Sequence, residues 1–220
     1  MILLIDYVII CIYFSKGFSS MNNFDFISQC LSSNDDVVGK DFANVSDLID
    51  CSNNTIEFKS CLFKGCNLSE SNFSGCSFSK SKFENCVLSN CNFENASFVD
   101  CTFVDCQFIG INFIACSFLG VTFRDCIGSY ANFNLSLIRN TDFINCKLDD
   151  SNFTSVKFNK LSFSECNLTE SNLFGSNLRG IDFSDSCIDG FVVDKNLLSG
   201  AVFNMEQAVD ISKLLGIVVK

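Results

Sequence analysis

The side chains with the most reactive chemistry in this sequence are its cysteines. The 220 residues include 15 Cys and no His, so a thiolate would have to act without an imidazole partner. Cysteines can ligate a soft metal ion or pair as disulfides, whereas a Ser-His-Asp triad, a Cys-His pair and imidazole-bound metals are excluded. With no nucleophile–base pair and no known glycine-rich phosphate loop, we expect no enzyme, no catalytic residue, no metal site and no cofactor.

The overall charge narrows the class of partner. Fifteen Lys and Arg stand against 25 Asp and Glu, which gives a net charge of −10. Neutralising the phosphates of a nucleic acid requires Lys and Arg, so we do not expect direct nucleic-acid binding. Because 48% of the residues are hydrophobic and 26 are Phe, the chain can build a folded core.

The large apolar residues recur with a five-residue period, and most of the cysteines lie at a fixed position within it. From Phe58 to Val193 every fifth residue belongs to one frame of 28 positions, of which 18 are Phe, six Leu, two Ile, one Val and one, Gly128, Gly. The residue two places earlier is small and often Cys, and Asn or Asp commonly lies between them. In an extended segment the small and the large side chain point to the same side. The last two residues must turn the chain, so we predict a solenoid of stacked short strands.

The unit small–polar–large–x–x resembles the pentapeptide-repeat pattern A(D/N)LXX over residues 56–203. The resemblance implies an all-β solenoid, a right-handed quadrilateral β-helix with four units per coil. The 28 units would then make about seven coils, and each residue would stack on its equivalent four units later. We name the four sides by their first units, each side recurring once per coil: side A begins at 56–60, side B at 61–65, side C at 66–70 and side D at 71–75.

Stacking would place six cysteines in one column on side C, namely Cys66, Cys86, Cys106, Cys126, Cys146 and Cys166. A vertical spacing of roughly 4.8 Å lies within the range for disulfides, so a disulfide ladder or a metal chain is one interpretation. We favour small buried apolar thiols, because parallel side chains in a packed core bridge poorly and give a metal no access. Gly128 in this column is expected to leave a gap for Ile127 or Tyr130 to fill.

The charges also separate by side. Over residues 56–195, side A has six bases and two acids, a net charge of +4, while sides B and C each have −4 and side D has −1. The acids of side B are Glu84, Asp105, Asp125, Asp142, Glu165, Asp182 and Asp185. One interpretation is a solvated surface that maintains solubility. The other is a partner-binding acidic ladder on a rigid rod of roughly duplex width, which competes for a DNA-binding groove.

Both ends depart from the period. Residues 22–55 are predicted to form an N-terminal cap or an irregular coil, and residues 204–220 a short C-terminal helix and tail that cap the solenoid, join two copies, or both. The predicted dimer residues are Phe203, Met205, Ala208, Ile211, Leu215, Ile217 and Val219. Residues 1–21 are predicted to form an apolar N-terminal extension. Its apolar stretch, residues 1–14, is too short for a normal membrane span and has no basic region of the kind that begins a signal peptide. A signal peptide and a membrane-associated tail are alternatives to the interpretation we favour, a start at Met21 and a cytoplasmic protein without membrane contact.

The C-terminal part of the sequence resembles a narrower group, the Qnr-type topoisomerase-protection proteins, and especially their chromosomal members in enterococci. The matching segments are 166–172, 178–184, 198–200, 206–208 and 215–219. The resemblance implies a homodimer joined through the C-terminus and a DNA mimic that binds DNA gyrase and topoisomerase IV and protects them from quinolones. The frame has no loop insertion between residues 58 and 193, so no loop residues carry over. An immunity protein against a gyrase-targeting toxin and a structural or adaptor protein without a topoisomerase partner are the alternatives.

Overall fold

The computed structural model describes residues 23–51, 55–214 and 216–219; the extension predicted over residues 1–21 and the predicted dimer residue Leu215 lie outside them. Two α-helices bracket a series of short strands. The helices are α1 (Asn23–Ser33) and α2 (Met205–Leu214), and a 3-10 helix spans Lys195–Leu197. The strands are β1 (Val37–Val38), β2 (Asp41–Ala43), β3 (Glu57–Lys59), β4 (Leu62–Lys64), β5 (Ser77–Ser79), β6 (Lys82–Glu84), β7 (Ser97–Val99), β8 (Thr102–Val104), β9 (Ser117–Leu119), β10 (Thr122–Arg124), β11 (Leu137–Ile144) and β12 (Lys157–Ser164).

The strands stack in parallel, coil on coil. Phe58 pairs with Phe78 on side A and Phe63 with Phe83 on side B, so each residue lies beside its equivalent in the next coil. The long strands β11 and β12 run across both of these sides. Sides C and D are joined by single bridges, such as Asn67 to Val87 and Asn72 to Asn92. The predicted all-β solenoid is therefore confirmed, with two sides of strand and two of bridge and turn.

The corners of the solenoid fall on every fifth residue. Every residue at positions 60, 65, 70 and onward to 180 has positive φ, and most of them are not Gly. Gly, Asn and Asp adopt this left-handed region most readily, and they occupy the majority of these positions. Four such corners in each coil give the four sides.

The interior is filled by columns of stacked rings. Phe103 lies between Phe83 and Phe123, with ring centroids 4.6 and 4.7 Å away and nearly parallel planes. Equivalent columns run through Phe58 and Phe78 on side A and through Phe73 and Phe93 on side D. Buried Cys, Ser and Ala side chains sit beside the rings. Small and large residues two apart thus form one continuous core, as the period predicts.

The gap predicted at Gly128 is filled by a neighbour other than those we expected. A Cβ atom at Gly128 would lie only 2.0 Å from Cε2 of Phe108, so the Phe108 ring leans into the space of the coil that follows it. Tyr130 is 62% exposed and Ile127 is half-buried, so neither occupies the gap. Phe108 is larger than the Leu residues found in most other coils of this column, and Gly128, the smallest residue, follows it in the next coil.

All 14 cysteines of the described residues are free thiols, and 13 of them are buried, Cys187 being the exposed one. Ten of the buried thiols donate to a backbone carbonyl of the preceding coil. For example, Sγ of Cys91 lies 2.7 Å from the Leu68 oxygen and Sγ of Cys86 lies 3.3 Å from the Phe63 oxygen. Burial raises the pKa of Cys91 to about 12 and that of Cys101 to about 11. Ionising these thiols therefore favours the unfolded chain.

We expect the protein to lose stability in alkali. The folded state holds the Cys91 proton more tightly than the unfolded chain, so its stabilisation is complete below pH ~9 and declines as the pH rises towards the folded pKa of about 12. Cys91→Ser, in a slot that holds Ser71 and Ser171 in other coils, should reduce the loss at pH 10 by about 1 kcal/mol. Urea unfolding at pH 7 to 10 measures this. Cys187→Ser, at the exposed thiol, is the control, and equal pH profiles for the two variants would contradict the prediction.

The N-terminal end is closed by an irregular coil and α1. Val37 pairs with Phe58 and Phe42 with Phe63, so this coil contains one residue more than the regular coils. Asp50 pairs with Asn72, which adds a second extra residue to the same coil. The α1 side chains Phe26, Ile27 and Cys30 join the core.

The C-terminal end is closed by α2. The Gln207 side chain donates to the carbonyls of Phe183 and Ser186 at 2.8 and 2.7 Å. Gln207 and Asn204 also exchange reciprocal hydrogen bonds between side chain and backbone N–H, which cap the helix start. At the other end Gly216 has φ of 76°, and the Ile217 N–H donates to the Ser212 carbonyl at 3.0 Å, as a Schellman cap requires. Within the described residues, no helix is long and apolar enough to cross a membrane.

Candidate functional site

The corner between sides B and C carries a column of exposed carboxylates. Asp105, Asp125 and Glu165 are all exposed corner residues, with φ of 53°, 55° and 54°. Asn145 occupies the same position in the intervening coil and donates from Nδ2 to Oδ1 of Asp125 at 2.7 Å. Asp185 continues the column one coil beyond Glu165. We call these four acids the corner column; successive coils place its members ~4.8 Å apart along the rod.

The corner column has a conformational cause as well as an electrostatic effect. Asp and Asn tolerate positive φ better than other residues that have a side chain, so the turn itself favours them at this slot. Glu165 gains no such advantage, and its carboxylate adds charge at the same place. The turn therefore favours Asp105 and Asp125 for conformational reasons, and the four acids together form a line of negative charge fixed to a rigid core.

The other predicted acids of side B lie apart from the corner column. Glu84 is half-buried and lies 2.5 Å from Nζ of Lys82 and 3.8 Å from Nζ of Lys64, and the Lys82 contact lowers its pKa. Asp142 accepts a hydrogen bond from the Ser162 hydroxyl. The Oδ1 of Asp182 accepts from Ser184, which lowers the pKa of this carboxyl. Asp142 and Asp182 stand at the edge of side B that adjoins side A, and Glu84 is neutralised by two lysines.

Side C extends the negative surface from the corner column. Asp149 and Asp189 lie on this side, and Glu70, Asp150 and Glu170 stand at its far corner with side D. Asp149 accepts a hydrogen bond from the Ser129 hydroxyl at 2.9 Å. The greatest density of acids is therefore a strip that runs from the corner column across side C, a wider surface than the ladder predicted on side B.

The C-terminal end presents apolar side chains. Met205 is 86% and Ile217 54% exposed, and Val219 and Ala208 are also exposed. Phe203 is half-buried and stacks on Phe183 with ring centroids 5.6 Å apart. Ile211, which we predicted at a dimer contact, is instead buried against its own chain. The helix turns that residue towards the last coil and so presents the opposite face to solvent. Val202 and Val209, which were not among the predicted dimer residues, are exposed at the same end, as is Val218 of the predicted apolar tail.

In the part of the chain that the structure describes, no group of three or more His, Cys, Asp or Glu residues is arranged to hold a metal ion. The described surface presents charged groups, apolar side chains and the exposed thiol of Cys187.

Comparison with known proteins places the chain in a family. A family model described as a pentapeptide repeat region matches residues 76–143, and a model of pentapeptide repeats in eight copies matches residues 136–175 and 146–185. Together they span residues 76–185, half of the chain. No curated protein matches the sequence.

Several solved structures are similar to this chain. QnrB1, a plasmid-mediated fluoroquinolone resistance protein, is 19% identical with a TM-score of 0.40, over 83% of this chain and 100% of that chain. HetL, involved in heterocyst differentiation regulation in the cyanobacterium Nostoc sp. strain PCC 7120, is 13% identical with a TM-score of 0.33, over 83% of this chain and 97% of that chain. Rfr23 from the cyanobacterium Cyanothece 51142 is 15% identical with a TM-score of 0.25, over 82% and 99%. On its repeat pattern, its coiled architecture and the two family models, the chain belongs to the pentapeptide-repeat proteins.

Proposed function

We propose that this protein is a non-enzymatic, cytoplasmic DNA mimic that binds type II topoisomerases and protects them from quinolones. The observation that carries the proposal is the corner column, a line of exposed carboxylates on a rigid rod. The resemblance of residues 166–219 to Qnr-type proteins supports the choice of DNA gyrase and topoisomerase IV as partners. We further propose that the exposed apolar side chains at the C-terminal end join two copies into a homodimer.

The corner column carries its charges at intervals of the same order as those along a DNA strand. One strand of a duplex carries a phosphate every ~3.4 Å along the helix axis, and the corner column offers a carboxylate or Asn145 every ~4.8 Å. A groove lined by Lys and Arg would gain electrostatic complementarity from either ligand. Because the stacked rings hold the coils in place, little conformational entropy is lost when the acids are bound.

Removing charge from the corner column should weaken binding to gyrase. Asp105→Asn/Asp125→Asn removes two charges while keeping residues that tolerate the corner φ of 53° and 55°. We expect about tenfold weaker binding, and a steeper loss of affinity for the native protein than for the variant as salt rises. A binding titration with purified gyrase measures both.

The matched control is Glu57→Gln/Asp100→Asn, which removes two charges from side A, Asp100 being a corner residue with φ of 52°. This control should change the affinity less than about twofold. Equal losses for the two variants would mean that net charge, and not the corner column, governs binding.

A supercoiling assay with and without ciprofloxacin tests the biological outcome. Rescue of gyrase activity in the presence of the drug would support protection. Inhibition without rescue would favour a DNA mimic with another use, such as immunity against a gyrase-targeting toxin. A structural or adaptor role without a topoisomerase partner is the alternative, and no effect of the folded protein in either arm would favour it.

A further inference from the structure

We propose that a basic patch on side A, formed by Arg139, Lys157, Lys160 and Arg179, binds an acidic peptide segment of a partner protein. Side A lies opposite side C, so this patch faces away from the strip of acids that extends from the corner column. The inference is independent of the proposed function, since neither gyrase binding nor DNA mimicry requires cations on this side.

The architecture concentrates the four cations. Lys157 and Lys160 lie on the same strand, β12. Arg139 lies on β11, where its Cα partner on β12 is Asn159, between the two lysines. Arg179 takes the position of Asn159 in the following coil. With ~3.3 Å per residue along a strand and ~4.8 Å between strands, the four Cα atoms fall within roughly 10 Å in each direction.

The charges of the patch are exposed and unneutralised. All four side chains are exposed, and in the described part of the chain none of them makes an ion pair, whereas Lys64, Lys82 and Lys213 each contact a carboxylate within 3.8 Å. Between residues 136 and 180, side A contains no Asp or Glu. Although the protein has a net charge of −10, the four cations therefore create a local positive field, which attracts anionic groups.

The surroundings favour a narrow anion over a duplex. One side of the solenoid presents three or four residues of strand, about 10 Å, which is narrower than a nucleic-acid duplex. Across the corner, Asp142 and Asp182 are exposed at the adjoining edge of side B, so a duplex on the patch would overhang these carboxylates and be repelled. An extended peptide places alternate side chains ~6.8 Å apart on one face. Two or three of its glutamates can therefore reach the four cations without crossing the corner.

Fluorescence anisotropy with a labelled octaglutamate peptide tests the patch. We expect the full chain to bind octaglutamate but not octaglutamine, and Arg139→Glu/Lys157→Glu to weaken the binding at least about tenfold. The matched control, Lys59→Glu/Lys80→Glu, makes the same change in net charge on the same side, where Glu57 and Asp100 lie nearby. This control should weaken binding less than about threefold. Thermal unfolding establishes that both variants remain folded.

Each other outcome overturns the proposal. The proposal is wrong if the native protein fails to bind octaglutamate at low salt. It is also wrong if the two charge-reversal variants lose the same amount of affinity, because the peptide would then be attracted to side A as a whole. A short DNA duplex or a phosphatidylserine vesicle that binds more tightly than octaglutamate, with the same dependence on Arg139 and Lys157, would replace the acidic peptide with a nucleic acid or a membrane.

Discussion

Replacing Phe103 with Ala is expected to lower the free energy of unfolding by about 3–5 kcal/mol. The side chain is fully buried, and its ring lies between those of Phe83 and Phe123 at 4.6 and 4.7 Å. Each neighbouring ring belongs to a coil whose backbone is hydrogen-bonded to the next, since β8 pairs with both β6 and β10. The coils cannot collapse onto the missing ring, so the substitution leaves a cavity as well as losing buried apolar area.

Urea unfolding followed by circular dichroism measures the loss. Val104→Ala, at the adjacent and only half-buried position, is the control and should cost less than about 1 kcal/mol. A solenoid can unfold in segments, so a second, earlier transition in Phe103→Ala would itself localise the damage to the central coils. If the two substitutions cost the same, the five-residue frame does not place residue 103 in the core.

The core could be predicted from the sequence because its signal is repeated. A small and a large residue two positions apart recur in almost every unit. In each such unit, as in the one that contains Cys101 and Phe103, both side chains point into the core. The stacking of equivalent residues follows once the coil has four sides. That stacking also contained a signal we did not use: Lys64 and Glu84 occupy the same slot of successive coils, and their contact removes Glu84 from the open acidic surface.

The sequence pattern alone could not show whether an Asp at the fifth position of a unit is there for the backbone turn or for its charge. Asp105 and Asp125 stand where the backbone needs positive φ, as do Asn145 and Gly65 in the same column. If the column is classed by residues that tolerate positive φ, namely Gly, Asn and Asp, it predicts a corner. If it is classed by acidic residues, it predicts the ladder. Both interpretations apply, and only the backbone angles show that the first is the local cause.

The orientation of α2 could not be predicted from its own periodicity. Met205, Ala208 and Ile211 share helical spacing, which identifies an apolar face without saying what covers it. The contacts of Gln207 with the carbonyls of Phe183 and Ser186 fix the helix over the last coil. That anchor buries Ile211 and leaves Met205 exposed, so one predicted surface divides into a cap and an open face.

Restoring the apolar consensus at Gly128 is expected to damage the protein. The φ of Gly128 lies outside the left-handed region, so its backbone accepts a side chain, but a Cβ there would be 2.0 Å from Phe108. Gly128→Leu should therefore cost about 3 kcal/mol or more through overpacking. Phe108→Leu alone should cost about 1–2 kcal/mol, because it leaves the space above Gly128 unfilled.

The double variant Phe108→Leu/Gly128→Leu should recover most of this loss and lie within about 1 kcal/mol of the native protein. It recreates on side C the Leu column already present at Leu68, Leu88 and Leu148. Urea unfolding of the four proteins closes a double-mutant cycle, in which the coupling energy should exceed about 2 kcal/mol and favour the pair. Strictly additive costs would show that Phe108 does not occupy the space of Gly128. A large coupling would mean that the one exception to the apolar period is a packing partner of the ring one coil earlier, so the period and its interruption obey the same requirement for a filled core.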